Sequence, residues 1–227
     1  MKTIGIIAAM HKELEPIIAN LKIIEVKEYS KYNFTIAEFK KLKIIATDCG
    51  IGKANASAAV QILMDKFDVD CIINSGVAGA LCDTLNIFDI VIPDICTYHD
   101  IVPHFMKDYP PFKTEFYCDR VLIEHAKKAC EKLNYINYEG LIVSGDAYIE
   151  TSEARNRIIK QYSPLAVDME SAAIAVCAYR NNLPCLILRC ISDNADEKST
   201  ISPDEFERIA ANKSALALIE ILNLIAD

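Results

Sequence analysis

The 227-residue sequence lacks the short motifs that assign chemistry at sight. No C-x-x-C pair occurs among its nine cysteines and no H-E-x-x-H or comparable spacing among its four histidines, so no metal site is expected. A G-x-S-x-G nucleophile elbow is missing as well. Gly50-Ile-Gly52-Lys53 begins like a phosphate loop, but a dinucleotide fingerprint needs a third glycine where Asn55 stands, and a P-loop needs glycine in place of Thr47. Both readings fail. Basic charge is scarce: 24 lysines and arginines against 32 aspartates and glutamates give a net charge of −8. Such a chain is poorly suited to polyanions, so the expected partner is a small molecule, with no nucleic acid and no membrane. Runs of the ~20 apolar residues that span a bilayer are not apparent. Met1 to Met10 has the charge and apolar character of a leader, yet His11-Lys-Glu13 ends it and no cleavage site follows.

Apolar material, in contrast, is plentiful at 52% of residues, enough for a buried core and against disorder. The cysteines are odd in number and most lie inside apolar runs such as Pro184-Cys-Leu-Ile-Leu-Arg-Cys190, which predicts buried reduced thiols in a cytoplasmic chain. Short β-branched runs at Thr3 to Ala8, Leu42 to Thr47, Cys71 to Ser75, Ile87 to Ile92, Glu139 to Val143, Leu165 to Val167 and Pro184 to Ile191 are separated by other segments. Several of these are of helical character, at Gly52 to Phe67, Asp119 to Leu133, Ser152 to Tyr162, Met169 to Asn181 and Pro203 to Ala226. The alternation predicts an α/β fold, one domain over residues 1–227 with a mixed, largely parallel central sheet flanked by helices. Ile23 to Phe39 reads as an antiparallel hairpin at a sheet edge, because its halves are too close together for a crossover.

Ligands of open parallel sheets bind beyond the carboxyl ends of the strands. The residues at those ends here are Met10-His-Lys-Glu13, Gly76-Val-Ala-Gly79, Ser144-Gly-Asp-Ala-Tyr-Ile149, Asp168-Met-Glu170 and Ser192-Asp193. Gly76 to Gly79 reads as a tight turn with free backbone N–H groups, a weak signal alone. Each carboxylate also has a plain explanation: Glu170 against a helix dipole, worth about 0.3–1 kcal/mol, Asp193 as a helix cap, Glu13 as a solvated helix residue. Their shared position at one sheet edge is what favours a site, with Tyr98-His-Asp100 and His104 in a neighbouring aromatic- and Pro-rich loop.

Taken together, Ile6-Ile-Ala-Ala-Met-His-Lys-Glu13, Gly50-Ile-Gly-Lys53, Ile73-Asn-Ser-Gly-Val-Ala-Gly79, Tyr98-His-Asp100, Val143-Ser-Gly-Asp-Ala-Tyr148, Val167-Asp-Met-Glu-Ser171 and Arg189-Cys-Ile-Ser-Asp193 resemble the 5′-methylthioadenosine/S-adenosylhomocysteine nucleosidases. These belong to the wider purine nucleoside phosphorylase family. The resemblance implies that Glu13 activates water and that Asp193 protonates purine N7. It implies that Met169 and Glu170 hold the face and hydroxyls of the ribose, that Tyr148 and Ile149 bracket the adenine, and that Val77, Ala78 and Gly79 line the substrate site. Arg189 would support the site, Ser192 orient Asp193, and Phe206 cover the pocket. It further implies a homodimer and no cofactor. Val77 stands where many relatives carry serine, and residues 101–118 depart from the family's loop, which helps build the pocket for the 5′ substituent.

The chemistry of the residues agrees. Breaking an N-glycosidic bond to adenine develops positive charge on the ribose and negative charge on the base, so the site needs an acid at the base, an anion near the sugar and a poised water. Asp193, Glu170 and Glu13 supply these. An aspartate serving as acid near neutral pH needs a dry surrounding that raises its pKa. Two other readings stay open: a phosphorylase that attacks with phosphate, and a silent nucleoside-binding protein on the same fold.

Overall fold

Thr3–Ala8, apolar and β-branched, forms the first strand, β1, and His11–Ile18 follows as helix α1. A computed structural model describes residues 2–193 and 202–227. The chain continues through β2 (Lys22–Tyr29), β3 (Tyr32–Phe39), β4 (Leu42–Asp48), α2 (Lys53–Phe67), β5 (Cys71–Ala80), β6 (Ile90–Tyr98), α3 (Pro103–Asp108), β7 (Phe116–Tyr117) and α4 (Arg120–Lys132). It ends with β8 (Asn137–Ser144), α5 (Ser152–Tyr162), β9 (Ala166–Asp168), α6 (Ser171–Arg180), β10 (Cys185–Asp193) and α7 (Pro203–Ala226).

All ten strands join one mixed sheet in the order β10-β6-β8-β9-β5-β1-β4-β3-β2, with β7 on β6. A further β10–β5 pairing closes β5, β10, β6, β8 and β9 into a ring. The parallel pairs are β1 with β4 and β5, β5 with β10, and β8 with β6 and β9. β2 and β3 form the expected antiparallel edge hairpin. Its two-residue turn has Ser30 and Lys31 at φ +52° and +70°, the handedness that matches strand twist.

Two strands run further than their sequence suggests. β5 continues through Gly76 to Ala80, so the expected tight turn at Gly76 to Gly79 is instead strand, paired with β10 and β9. β6 runs to Tyr98 despite Pro93, because the ladder slips between Pro93 and Ile95 and the proline sits at the irregularity. Residues 101–118, expected as loop, hold a short helix and strand, α3 and β7.

α7 packs on α1, α4, β5 and β10. It buries Ala210, Ser214, Ala217, Leu218, Ile221 and Leu222. By length and composition it could also cross a membrane. Lys213 and Glu220 interrupt the stretch, so it is not an unbroken apolar run. Half of its apolar window is buried inside the protein. All nine cysteines are free, and all but Cys82 are buried.

Candidate active site

The parallel register of β10 on β5 sets Arg189 beside Gly76 and Asp193 beside Gly79. At about 3.3 Å per residue, Arg189 and Asp193 are roughly 10–13 Å apart along the strand, so the site has two ends. Glycine is required at the first. A Cβ on Gly76 would collide with Arg189 Nη1 and lie 2.6 Å from Glu13 Oε1.

At that end Glu13, in the first turn of α1, turns its carboxylate inward and is 2% exposed. Its Oε2 accepts from the backbone N–H groups of Ala9 and Met10, each at 2.9 Å, and its Oε1 from that of Val77 at 2.9 Å. The solvated-helix explanation of Glu13 is therefore wrong. Glu170, at the N-terminal boundary of α6, accepts from Gly52 N–H at 2.9 Å and lies 3.5 Å from Arg189 Nη2. Arg189 is fully buried, its Nε donating to Asp168 Oδ2 at 2.8 Å. Asp168 is saturated: it also accepts from the hydroxyls of Ser144 and Ser171 and the N–H of Ser171.

One buried cation thus faces three carboxylates. Burial alone would pull the guanidinium's pKa down, but Asp168, Glu170 and Glu13 reverse this and hold it raised, so Arg189 stays charged. The carboxylates bear the remaining imbalance. Loss of solvent pushes Glu170 up to about 7, against the pull of Arg189. Burial likewise raises Glu13, opposed by Arg189 and the three N–H donors. A carboxylate with a raised pKa, held by backbone donors, is suited to accept a proton near neutral pH.

The other end is more open. Asp193 is solvent-exposed, yet the surrounding protein withdraws enough water to raise its pKa above the aspartate range, with Ser192 and Arg155 opposing. Ser192 Oγ donates to Asp193 Oδ2 at 3.4 Å. A Cβ on Gly79 would stand 3.2 Å from Asp193 Oδ1. Tyr148 is 71% exposed, and its hydroxyl pKa is raised chiefly by the charge of Asp193. Phe206, on the first turn of α7, packs on Phe88 with ring centroids 5.8 Å apart. Ile149 and Met169 are partly buried nearby in sequence to Tyr148 and Glu170, and Ala78 is buried between Val77 and Gly79.

The three carboxylates named from sequence therefore lie along the paired ends of β5 and β10, but only Glu13 and Glu170 share Arg189. Sequence reasoning missed Asp168, Ser144 and Ser171 as the bed of that arginine. The signal was present, since Asp168 follows an apolar strand and faces a lone arginine inside another. A separate cavity of about 260 Å³ is lined by Tyr98, Ile101, Met106, Leu141 and Tyr162, among others, and by none of the site carboxylates. No cluster of three or more metal-ligating side chains occurs among the described residues.

Residues 3–223 match the family model of the phosphorylase superfamily. A 5′-methylthioadenosine/S-adenosylhomocysteine nucleosidase of Staphylococcus saprophyticus is 37% identical over 97% of each chain. The Neisseria meningitidis nucleosidase of that name, solved with methylthio-immucillin-A, superposes with a TM-score of 0.92 at 35% identity, covering 99% of this chain and 100% of that one. Helicobacter pylori futalosine hydrolase superposes with a TM-score of 0.90 at 28% identity over 98% of each chain. The chain belongs to the phosphorylase superfamily and, within it, to the 5′-methylthioadenosine/S-adenosylhomocysteine nucleosidases.

Proposed function

We propose that the protein is a hydrolase that cleaves the N-glycosidic bond of 5′-methylthioadenosine, S-adenosylhomocysteine and related 5′-substituted adenosines, releasing adenine and the 5-substituted ribose. The observation that carries this reading is Glu13. Its buried carboxylate is fixed by three backbone N–H groups beside Arg189, and in this reading it is the group that activates the nucleophile. A carboxylate there accepts the proton of an attacking water and repels a phosphate dianion.

In this reading Glu13 is the base, Asp193 the acid at the purine, and Glu170 with Met169 the holder of the ribose. Tyr148 and Ile149 bracket the adenine, Phe206 covers it, Ser192 orients Asp193, Val77 to Gly79 line the floor, and Arg189 holds the two glutamates in register. The reaction uses no metal or organic cofactor, and residues 1–227 work as one unit. The exposed Val102, Phe105, Tyr109, Phe112 and Tyr117 favour a homodimer, and the free, mostly buried thiols favour the cytoplasm. Such an enzyme would serve methionine salvage and nucleoside catabolism. The test is adenine release over a panel of 5′-substituted adenosines. Turnover of the thio-substituted members at rates far above adenosine supports the reading, and no release from any member refutes it.

A further inference from the structure

We infer that Lys53, Asp100 and Asp146 form a positioning clamp that sets the distance between the ribose-holding and base-holding halves of the site. The inference rests on the proposed nucleoside reading. Three separate segments meet at these residues: the start of α2, the segment after β6 and the segment after β8. Lys53 Nζ donates to Asp100 Oδ2 at 2.7 Å and lies 3.4 Å from Asp146 Oδ2. The backbone closes the triangle, with Lys53 N–H donating to Asp146 Oδ1 at 2.9 Å and Asp146 N–H to Asp100 Oδ2 at 2.9 Å.

Each end of the clamp touches one half of the site. Gly52, directly before Lys53, gives its N–H to Glu170 Oε1. Its φ of +100° suits glycine, and a Cβ there would come within 3.2 Å of Asp146 Oδ1. On the other side Asp146 lies two residues before Tyr148, and Gly145 is pressed so closely to His99 and Asp100 that a Cβ would reach 2.5 Å from His99 Cε1. The Lys53 stem is largely buried, with its ammonium 5.2 Å from the Tyr98 ring centre. Isolated surface ion pairs contribute little, but this one is part of a chain of four polar contacts that crosses between loops carrying different parts of the ligand. Its effect falls on geometry rather than on stability, because small misplacements of reacting groups cost rate steeply.

None of the three residues touches the bound nucleoside in this account; they act through Gly52 and the segment at Tyr148. A ligand that occupies one half is indifferent to the spacing, whereas an intact nucleoside depends on it. The test compares binding of adenine and of methylthio-immucillin-A by calorimetry, alongside adenine release from 5′-methylthioadenosine, for the parent, Lys53→Met, Lys53→Arg and Asp100→Asn. The clamp predicts that Lys53→Met weakens the intact analogue and lowers kcat/KM by about 10-fold or more, leaves adenine affinity within about twofold, and is largely rescued in Lys53→Arg. Asp100→Asn follows the same pattern more weakly. Equal weakening of adenine and analogue, loss in proportion to a lowered Tm, or no change in any variant overturns it. Failure of the parent to release adenine refutes the nucleosidase reading instead, which is a separate outcome from the parent-to-variant ratio.

Discussion

The two ends of the candidate site are built on opposite terms. Around Arg189 the side chains are buried, Asp168 is saturated with hydrogen bonds, Glu13 is gripped by backbone N–H groups of its own turn and of Val77, and Glu170 by that of Gly52. Around Asp193 the side chains are exposed or partly so, and among the described residues Asp193 itself has a single long side-chain hydrogen bond, from Ser192. The buried end needs rigidity, since charge there is costly unless fully partnered. The open end must admit and release a purine. Mutations should therefore separate cleanly: stability should follow the Arg189 end, and proton transfer to the base should follow the Asp193 end.

The largest effect on rate is expected at the open end. Asp193→Asn keeps shape but removes the transferable proton, so adenine release should fall about 10²- to 10⁴-fold. Thermal unfolding should hardly change. A variant that releases adenine at more than about a tenth of the parent rate removes Asp193 from the acid role.

At the buried end Asp168→Ala leaves the Arg189 guanidinium without its closest partner. Breaking a buried ion pair in this way costs about 3–5 kcal/mol, and denaturant unfolding should register that loss. A cost below about 1 kcal/mol would mean that Glu13 and Glu170 suffice to hold the arginine, and the contrast between the two ends would shrink.

A subtler effect concerns Glu170. Its folded pKa of about 7 lies above the ordinary carboxylate value of 4.5, so its contribution to stability is complete below about 4.5 and declines as pH rises through about 7. Glu170→Gln mimics the protonated form and should be free of this decline. Relative to the variant, the parent should lose stability between pH 4.5 and 8, by on the order of 3 kcal/mol at most. Urea unfolding of both proteins across that range checks the sign; a parent that gains stability over the variant with rising pH contradicts the burial argument.

The smallest expected change is in the stability of Tyr148→Ala. An exposed side chain contributes within about 0.5 kcal/mol, while loss of stacking should weaken adenine binding measurably. If stability drops by several kcal/mol instead, Tyr148 is a packing residue and the open end is less open than its exposure indicates.

Much of this organisation was legible in the sequence, unevenly and for physical reasons. The runs at Thr3, Leu42 and Pro184 gave β1, β4 and β10 to within a residue or two, since strands buried on both faces read as continuous β-branched runs. Glu13, Glu170 and Asp193 were visible because each follows such a run. Gly76 and Gly79 misled: they resembled a turn, whereas they are strand residues kept small by Glu13, Arg189 and Asp193 pressing on them. That pressure comes from chain segments more than sixty residues away and leaves no local trace. The apolar run before Pro93 likewise stops at Ile92, and only the slipped ladder beside β8 explains why the strand continues. Asp168 stood at a strand end in the sequence, but its pairing with Arg189 was not legible because Arg189 lies on another strand. The division into a dry end and an open end was not legible at all, since it depends on which strand ends the ring of β5, β10, β6, β8 and β9 brings together.

The central claim is that the dry end, with Glu13 over the Gly76 position, activates water and not phosphate. The most direct measurement is the initial rate of adenine release from 5′-methylthioadenosine as phosphate is raised from none to millimolar levels at constant ionic strength, with the sugar product identified. The account predicts a rate independent of phosphate and free 5-methylthioribose. A rate that climbs in proportion to phosphate, with the sugar recovered as its 1-phosphate, would contradict both the hydrolase reading and the role given to Glu13.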